Sequence, residues 1–236
     1  MVTTDDGARA TPLFEGFPLE LFAFLEGLEK DNSKSYWEAN RATWEISVQE
    51  PVQRLMADLE EEFGPLRTFR PNRDVRFSKD KSPYKTWVGV TTSERAVGGV
   101  GAFLRLDADG MRLAGGAMVM APDQIQRFRA ALDNEASAAE FEEIGRRLAD
   151  RSLPVGPGRE PPLKRVPTGY APDHPRAELL RWKGAVVVKE YELADWMHRP
   201  GAIDTVREVW TATKPLKEWI EAYVGESSTP ARRRGR

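Results

Sequence analysis

Apolar residues recur at helical spacing along the first quarter of the chain. Pro18 suits a first helical turn, and Leu21, Phe22, Leu25 and Leu28 fall on one face of the helix that follows. DNSKSYWEANRATWE opens a second helix behind an Asp/Asn/Ser cap, with Trp37, Trp44 and Val48 at matching spacing. Pro51 kinks or restarts it. Val52, Leu55, Met56, Leu59 and Phe63 make a further amphipathic run, which Gly64-Pro65 closes.

The period changes after Phe69. RDVRFS (73–78), KTWVGVTTS (85–93) and VGAFLRL (100–106) are short, rich in β-branched and aromatic residues, and bounded by turn formers. They are predicted as strands. Asp109-Gly110 between two alternating segments predicts a hairpin, whose return strand runs through AGGAMVM towards Pro122. A helix is predicted from Pro122 and another over 138–149. Residues 152–175 hold seven of the 17 prolines and read as a docked loop pinned by Leu163, Val166 and Tyr170. A short helix at AELLRW, a strand at GAVVVKEYE and a last helix over 202–223 complete the pattern. The last helix carries Ile203, Val206, Trp210, Leu216, Trp219 and Ile220 on one stripe. The expected class is α+β: an antiparallel β-sheet flanked by helices, with a helical N-terminal segment and a C-terminal helix. Residues 12–224 are expected to form a single domain, between a disordered tail at 1–11 and a basic disordered tail at 225–236.

Composition narrows the function. In 236 residues, 40% hydrophobic and 31% charged content is that of a globular chain. The formal net charge is −2, and taking away the four arginines of the last five residues leaves −6 on the rest. A global basic field that would draw in nucleic acid is therefore excluded. The absence of cysteine excludes disulfides, thiolate metal sites and a cysteine nucleophile. MVTTDDGARATP is too polar for a signal peptide, and no apolar run has membrane-spanning length. The expected location is the cytoplasm, with no membrane partner. G-x-S-x-G, H-E-x-x-H and P-loop patterns are absent, and GGVGAF lacks dinucleotide-fingerprint spacing. No metal site and no cofactor are assigned.

Against this slightly acidic background, RPNRDVRFSKDKSPYKT (70–86) stands out. It holds Arg70, Arg73, Arg76, Lys79, Lys81 and Lys85 against Asp74 and Asp80, so six cations and two carboxylates leave +4. If 73–78 is a strand, Arg73, Val75 and Phe77 share one face and Asp74, Arg76 and Ser78 the other. Asp74 would then hold the Arg76 fork, a donor set suited to phosphate or carboxylate. Three uses of the stretch stand at this point: an anion-facing site, an internal salt-bridge network, or a plain solvated loop. On the first, Arg73, Arg76 and Lys81 contact a small phosphorylated or carboxylated molecule, Arg70 and Lys85 flank it, and Tyr84 adds a hydrogen bond.

LKRVPTGYAPDHP supplies a second group, Lys164, Arg165, Tyr170, Asp173 and His174, from which Lys164 and Arg165 are expected to join the first as ligand contacts. His174 and Asp80 are the candidates for proton transfer should a reaction be catalysed. His174 equally suits a cap for the helix after it. The alternatives are a nucleic-acid-binding module, with Tyr84 or Trp87 stacking on bases, and a protein-interaction domain docking an acidic partner. Both would use the same cationic stretch. The acidic remainder of the chain argues against nucleic acid.

RDVRFSKDKSPYK resembles the signature of a bacterial family catalogued as domain of unknown function 2461. FLEGLEKDNSKSYWEANRATWE resembles that family's N-terminal helical segment, GGAMVMAPDQIQRFR its Gly-Gly stretch, and LKRVPTGYAPDHPRAELLRWKG its late Pro-rich segment. The resemblance spans residues 14–223. It implies a single domain of helices plus antiparallel sheet. It also implies a shared polar cluster of Arg70, Arg73, Asp74, Arg76, Asp80, Lys81 and Tyr84.

Overall fold

A computed structural model describes residues 13–76, 78–93 and 97–228. The predicted tail at 1–11, the Arg-rich end from 229 and the expected placement of Phe77 lie outside the described residues.

Helix α1 (Leu19–Lys30) follows Pro18 and buries Leu21, Phe22, Phe24, Leu25 and Leu28. Helix α2 (Lys34–Ala39) is capped by Ser33, whose hydroxyl accepts from Tyr36 N at 3.1 Å. Helix α3 (Arg41–Thr43) widens into a π-helical stretch, Trp44–Gln49, and continues as α4 (Glu50–Phe63). Pro51 lies in the first turn of α4. It has no N–H to give, and its ring crowds the preceding turn, so a wider turn just before it relieves both problems. The proline thus restarts the helix without breaking it.

The sheet comprises β1 (Arg67–Thr68), β2 (Trp87–Thr91), β3 (Gly101–Asp107), β4 (Gly110–Ala117), β5 (Val155–Gly156) and β6 (Ala185–Glu192). Its order is β1-β2-β3-β4-β6-β5, antiparallel throughout. The predicted hairpin is the β3–β4 connection. Asp109 N donates to Asp107 Oδ1 (3.2 Å) there, and Gly110 takes φ 139°, a conformation glycine adopts without strain.

Register decides what each face carries. Val88 pairs with Leu106, Val90 with Leu104, Leu104 with Leu113, and Leu106 with Met111, so these buried side chains share one face. Helix α7 (Ala202–Tyr223) packs on that face, with Trp210, Leu216, Trp219 and Ile220 buried. Its Thr213 sits over Gly115, where a Cβ would collide with the threonine side chain. Helices α5 (Pro122–Asp133) and α6 (Glu135–Asp150) add Phe128 and Phe141, which meet Trp219 at ring separations of 6.0 and 4.7 Å. The opposite face is open across Trp87, Phe103, Arg105, Arg112, Val188 and Glu190, all of them partly or fully exposed.

Two expected elements differ. AELLRW forms only the single 3-10 turn Leu179–Arg181, because Trp182 turns extended to feed β6 and six residues are too few to sustain a helix. RDVRFS forms no strand among its described residues, for reasons given below. The Pro-rich segment 152–175 runs along the far edge of the sheet. Val155 and Gly156 pair with Val187 and Val186, and Leu163 N donates to Arg181 O (2.9 Å). Residues 225–228 lie against the start of α5. Gln124 Nε2 donates to Gly225 O (2.8 Å) and Ser227 Oγ to Asp123 (2.8 Å). Among the described residues no helix is long and apolar enough to cross a membrane.

Candidate functional site

The cationic stretch leaves the sheet at β1 and returns at β2. Phe69 N donates to Gly89 O (3.2 Å), Lys85 N to Pro71 O (2.8 Å) and Arg73 N to Pro83 O (2.8 Å), while Asn72 and Tyr84 form an isolated antiparallel bridge. The root is therefore an irregular continuation of the β1–β2 ladder. It does not lengthen into the expected strand at 73–78. Pro71 and Pro83 have no N–H for a ladder, and the loop's aspartates make competing local bonds. Asp80 Oδ1 accepts from Ser82 N (2.9 Å) and Ser82 Oγ (2.6 Å).

Local bonding also reorganises the charges. Arg73 donates to Asp80. Arg76 forks onto Asp74 through Nε (3.0 Å) and Nη2 (2.9 Å), the pairing expected from the sequence but made across a turn. Lys81 Nζ donates to Val75 O (3.0 Å), and Lys85 Nζ to the carbonyls of Arg70 and Asn72, the latter at 2.9 Å. The two carboxylates among the cations thus answer Arg73 and Arg76 directly. Arg70 and Lys79 are exposed and have no carboxylate partner among the described residues.

The Ser82 hydroxyl, the Ser82 N–H and Arg73 hold the Asp80 carboxyl far below the usual carboxylate range. The Lys85 ammonium is pushed below the ordinary lysine value, by burial first and then by Arg70 and Arg73. At the root of the loop, burial and two like charges thus act together on Lys85.

Alternation along 84–89 divides the side chains between the two faces of the sheet. Tyr84 turns to the helical side, 8% exposed, with its ring stacked on Trp37 (4.3 Å, 10° between planes). Asn32 fixes its backbone, donating Nδ2 to Tyr84 O (3.2 Å) and accepting Tyr84 N at Oδ1 (2.9 Å). Lys85 turns to the open side, its ammonium 5.7 Å from the centre of the Trp87 ring.

The second predicted group is at the other edge of the sheet. Lys164 and Arg165 are exposed on the segment beside β5 and β6. His174 Nδ1 accepts from Arg176 N (3.0 Å), and Nε2 lies 3.1 Å from Asp133 Oδ1, so both ring nitrogens are engaged. Arg176, nearly buried, pairs with Glu135 (3.0 Å) and Glu142 (2.8 Å). The fold thus gathers Arg70, Arg73, Asp74, Arg76, Asp80, Lys81, Tyr84 and Lys85 in one loop, and does not bring Lys164, Arg165 and His174 to it. A cleft of about 230 Å³ between α7 and the rim of β2 and β3 is lined by Phe63, Thr92, Gly101, Trp210 and Lys214. Lys214 lies 3.7 Å from Glu62 there, so its charge is met within the cleft. Among the described residues no three His, Asp or Glu side chains gather as a metal site.

Sequence reasoning missed Asn32 and Trp37 as the loop's anchors, and Phe69, Phe103 and Arg105 as its neighbours on the open face. Strand alternation in KTWVGVTTS was the signal for Lys85 beside Trp87. Strand register, which only pairing reveals, supplies the others.

The family profile described as "Conserved hypothetical protein (DUF2461)" matches residues 20–219. The chain belongs to this family. The match takes in every element from α1 to most of α7, with the loop and the Asn32 anchor inside it. No curated protein and no solved structure matches the chain.

Proposed function

We propose that this DUF2461 chain is a cytoplasmic binding protein, its single domain spanning 12–224, for a small phosphorylated or carboxylated molecule. The anion sits at the root of the loop, where Arg70, Arg73 and Lys85 meet it, and Arg76 and Lys81 border it. One observation carries the reading: Lys85 Nζ is held on the carbonyls of Arg70 and Asn72, where burial first and then Arg70 and Arg73 disfavour its charge, while the loop's two carboxylates are committed to Arg73, Arg76 and Ser82. An incoming anion relieves that repulsion, and two of the cations are already held in place, Arg73 by Asp80 and Lys85 by backbone carbonyls. Tyr84 acts by holding the loop and leaves the ligand to the cations. Proton transfer is not part of the proposal, since both His174 nitrogens are engaged and Asp80 accepts from Ser82 and Arg73.

A thermal-shift screen with phosphate, citrate, sugar phosphates and nucleotides tests the reading. At least one anion is expected to raise the melting temperature at millimolar concentration, with the rise abolished in Arg70→Ala. No shift with any anion, or the same shift in Arg70→Ala, contradicts it.

A further inference from the structure

The open face of the sheet begins where the cationic corner ends. Trp87 pairs with Asp107, Gly89 with Arg105 and Thr91 with Phe103, so Trp87, Gly89, Phe103 and Arg105 share that face. Phe69 meets Trp87 at 5.5 Å and Phe103 at 5.9 Å, both edge-on. Gly89 lies beneath this cluster, and a Cβ there would stand 2.8 Å from Trp87 Cζ3 and 3.3 Å from Phe69 Cδ2. The missing side chain lets the rings settle against the strand, and the result is a partly exposed aromatic platform.

Three cations border the platform, with one carboxylate, Asp107, opposite Trp87. Lys85 Nζ lies 5.7 Å and the Arg105 guanidinium 5.4 Å from the Trp87 ring centre, and Arg67 lies 5.9 Å from that of Phe69. Arg105 stands directly opposite Arg112 across β3 and β4, a like-charge pairing that costs stability. Each has a carboxylate partner, Asp107 and Glu190, yet the Nε of each is buried without a hydrogen-bond partner among the described residues. Each of these buried donors carries a desolvation cost, and the strand pairing sets them beneath the partly exposed rings.

We propose that this face takes the base of a free nucleotide whose phosphate occupies the Arg70–Arg73–Lys85 corner. The inference rests on the anion-binding reading above. Lys85 belongs to both halves, since its ammonium touches the corner and overlies the indole, and one nucleotide can span that separation. Stacking supplies affinity for any base. A free nucleotide fits better than a strand, since the chain's net charge of −2 repels a polyanion beyond the corner.

Calorimetric titration with AMP, ribose 5-phosphate and adenosine tests it, with the Trp87 indole N–H followed by NMR. AMP is expected to bind about tenfold or more tightly than ribose 5-phosphate, the gain one stacked base supplies. In Trp87→Ala the ratio of the AMP to the ribose 5-phosphate affinity is expected to fall to about one, whatever the change in ribose 5-phosphate binding itself. Should Trp87→Ala fail to fold, the wild-type indole signal decides, moving with AMP and staying still with ribose 5-phosphate. Equal affinity for AMP and ribose 5-phosphate overturns the base platform and leaves the anion site standing. Binding of neither overturns both. A hexanucleotide that binds more tightly than AMP at the same salt makes the occupant a strand and overturns the free-nucleotide proposal.

Discussion

Asn32 grips the backbone of Tyr84 from both sides, donating to its carbonyl at 3.2 Å and accepting its N–H at 2.9 Å. The same Nδ2 also donates to Leu28 O (3.1 Å), which ties the end of α1 into the arrangement. A side-chain amide here takes the place of a strand neighbour. It fastens the return limb of the cationic loop to the helical unit, 52 residues away in sequence. Asn32→Ala leaves that part-buried pair without its partners and is expected to cost about 1–3 kcal/mol. A urea midpoint equal to wild type, or unaltered amide exchange at Tyr84, would show that the clamp carries no stability.

The Tyr84 ring acts through packing. Stacked on Trp37 and nearly buried, it is expected to tolerate Tyr84→Phe with little change in stability. Tyr84→Ala empties the site and is expected to cost about 3 kcal/mol or more, as truncations of buried aromatics do. Unfolding curves of the two variants separate a packing role from a hydroxyl role, since a large loss in Tyr84→Phe would place the hydroxyl at the centre.

Asp80 makes the loop acid-sensitive. Its folded value lies below the ordinary 3.8 because the Ser82 hydroxyl, the Ser82 N–H and Arg73 favour the carboxylate. The stabilisation from such a group is present above the unfolded value and is lost as pH falls through the folded one. Wild type is therefore expected to lose stability more steeply than Asp80→Asn as the solution is acidified past 3.8, read as urea midpoints across the acid range. Parallel curves for the two proteins would remove Asp80 from the loop's bracing.

Gly89→Ala probes the aromatic platform without deleting a ring. The new methyl meets Trp87 Cζ3 at 2.8 Å and Leu104 O at 3.1 Å, so the partly exposed indole must move. The expected result is a changed near-UV circular dichroism band and a displaced Trp87 indole N–H signal. An unmoved signal would mean that the indole does not rest on this glycine.

Much of the fold was legible because it is periodic. The buried faces of α1, α4 and α7, the alternation of β2 and β3 and the Asp109-Gly110 hairpin follow from spacing alone. The strand expected at 73–78 failed because β-rich composition does not register the two prolines at the loop's root or the side chains that serve the backbone better than a neighbouring strand could. The cations were legible as a cluster. Their partners were not, since alternation pairs Asp74 with Arg76 but cannot show Arg73 reaching Asp80 or Lys85 ending on carbonyls. The separation of His174 from the loop is a matter of strand order, with β1 and β5 at opposite edges, and nothing local in the sequence encodes it.

Lys85 gives the most direct test of an anion at the corner. Burial first, and then Arg70 and Arg73, push its ammonium below the ordinary lysine value of 10.5. A bound anion favours the charged form, so binding takes up a proton in that window and affinity falls as pH rises through it. Following the Lys85 side-chain resonance by NMR against pH, with and without saturating AMP, measures this. The expected result is a titration midpoint that rises when AMP is present in wild type and stays put in Arg70→Ala. A midpoint that AMP leaves unmoved in wild type would contradict the account.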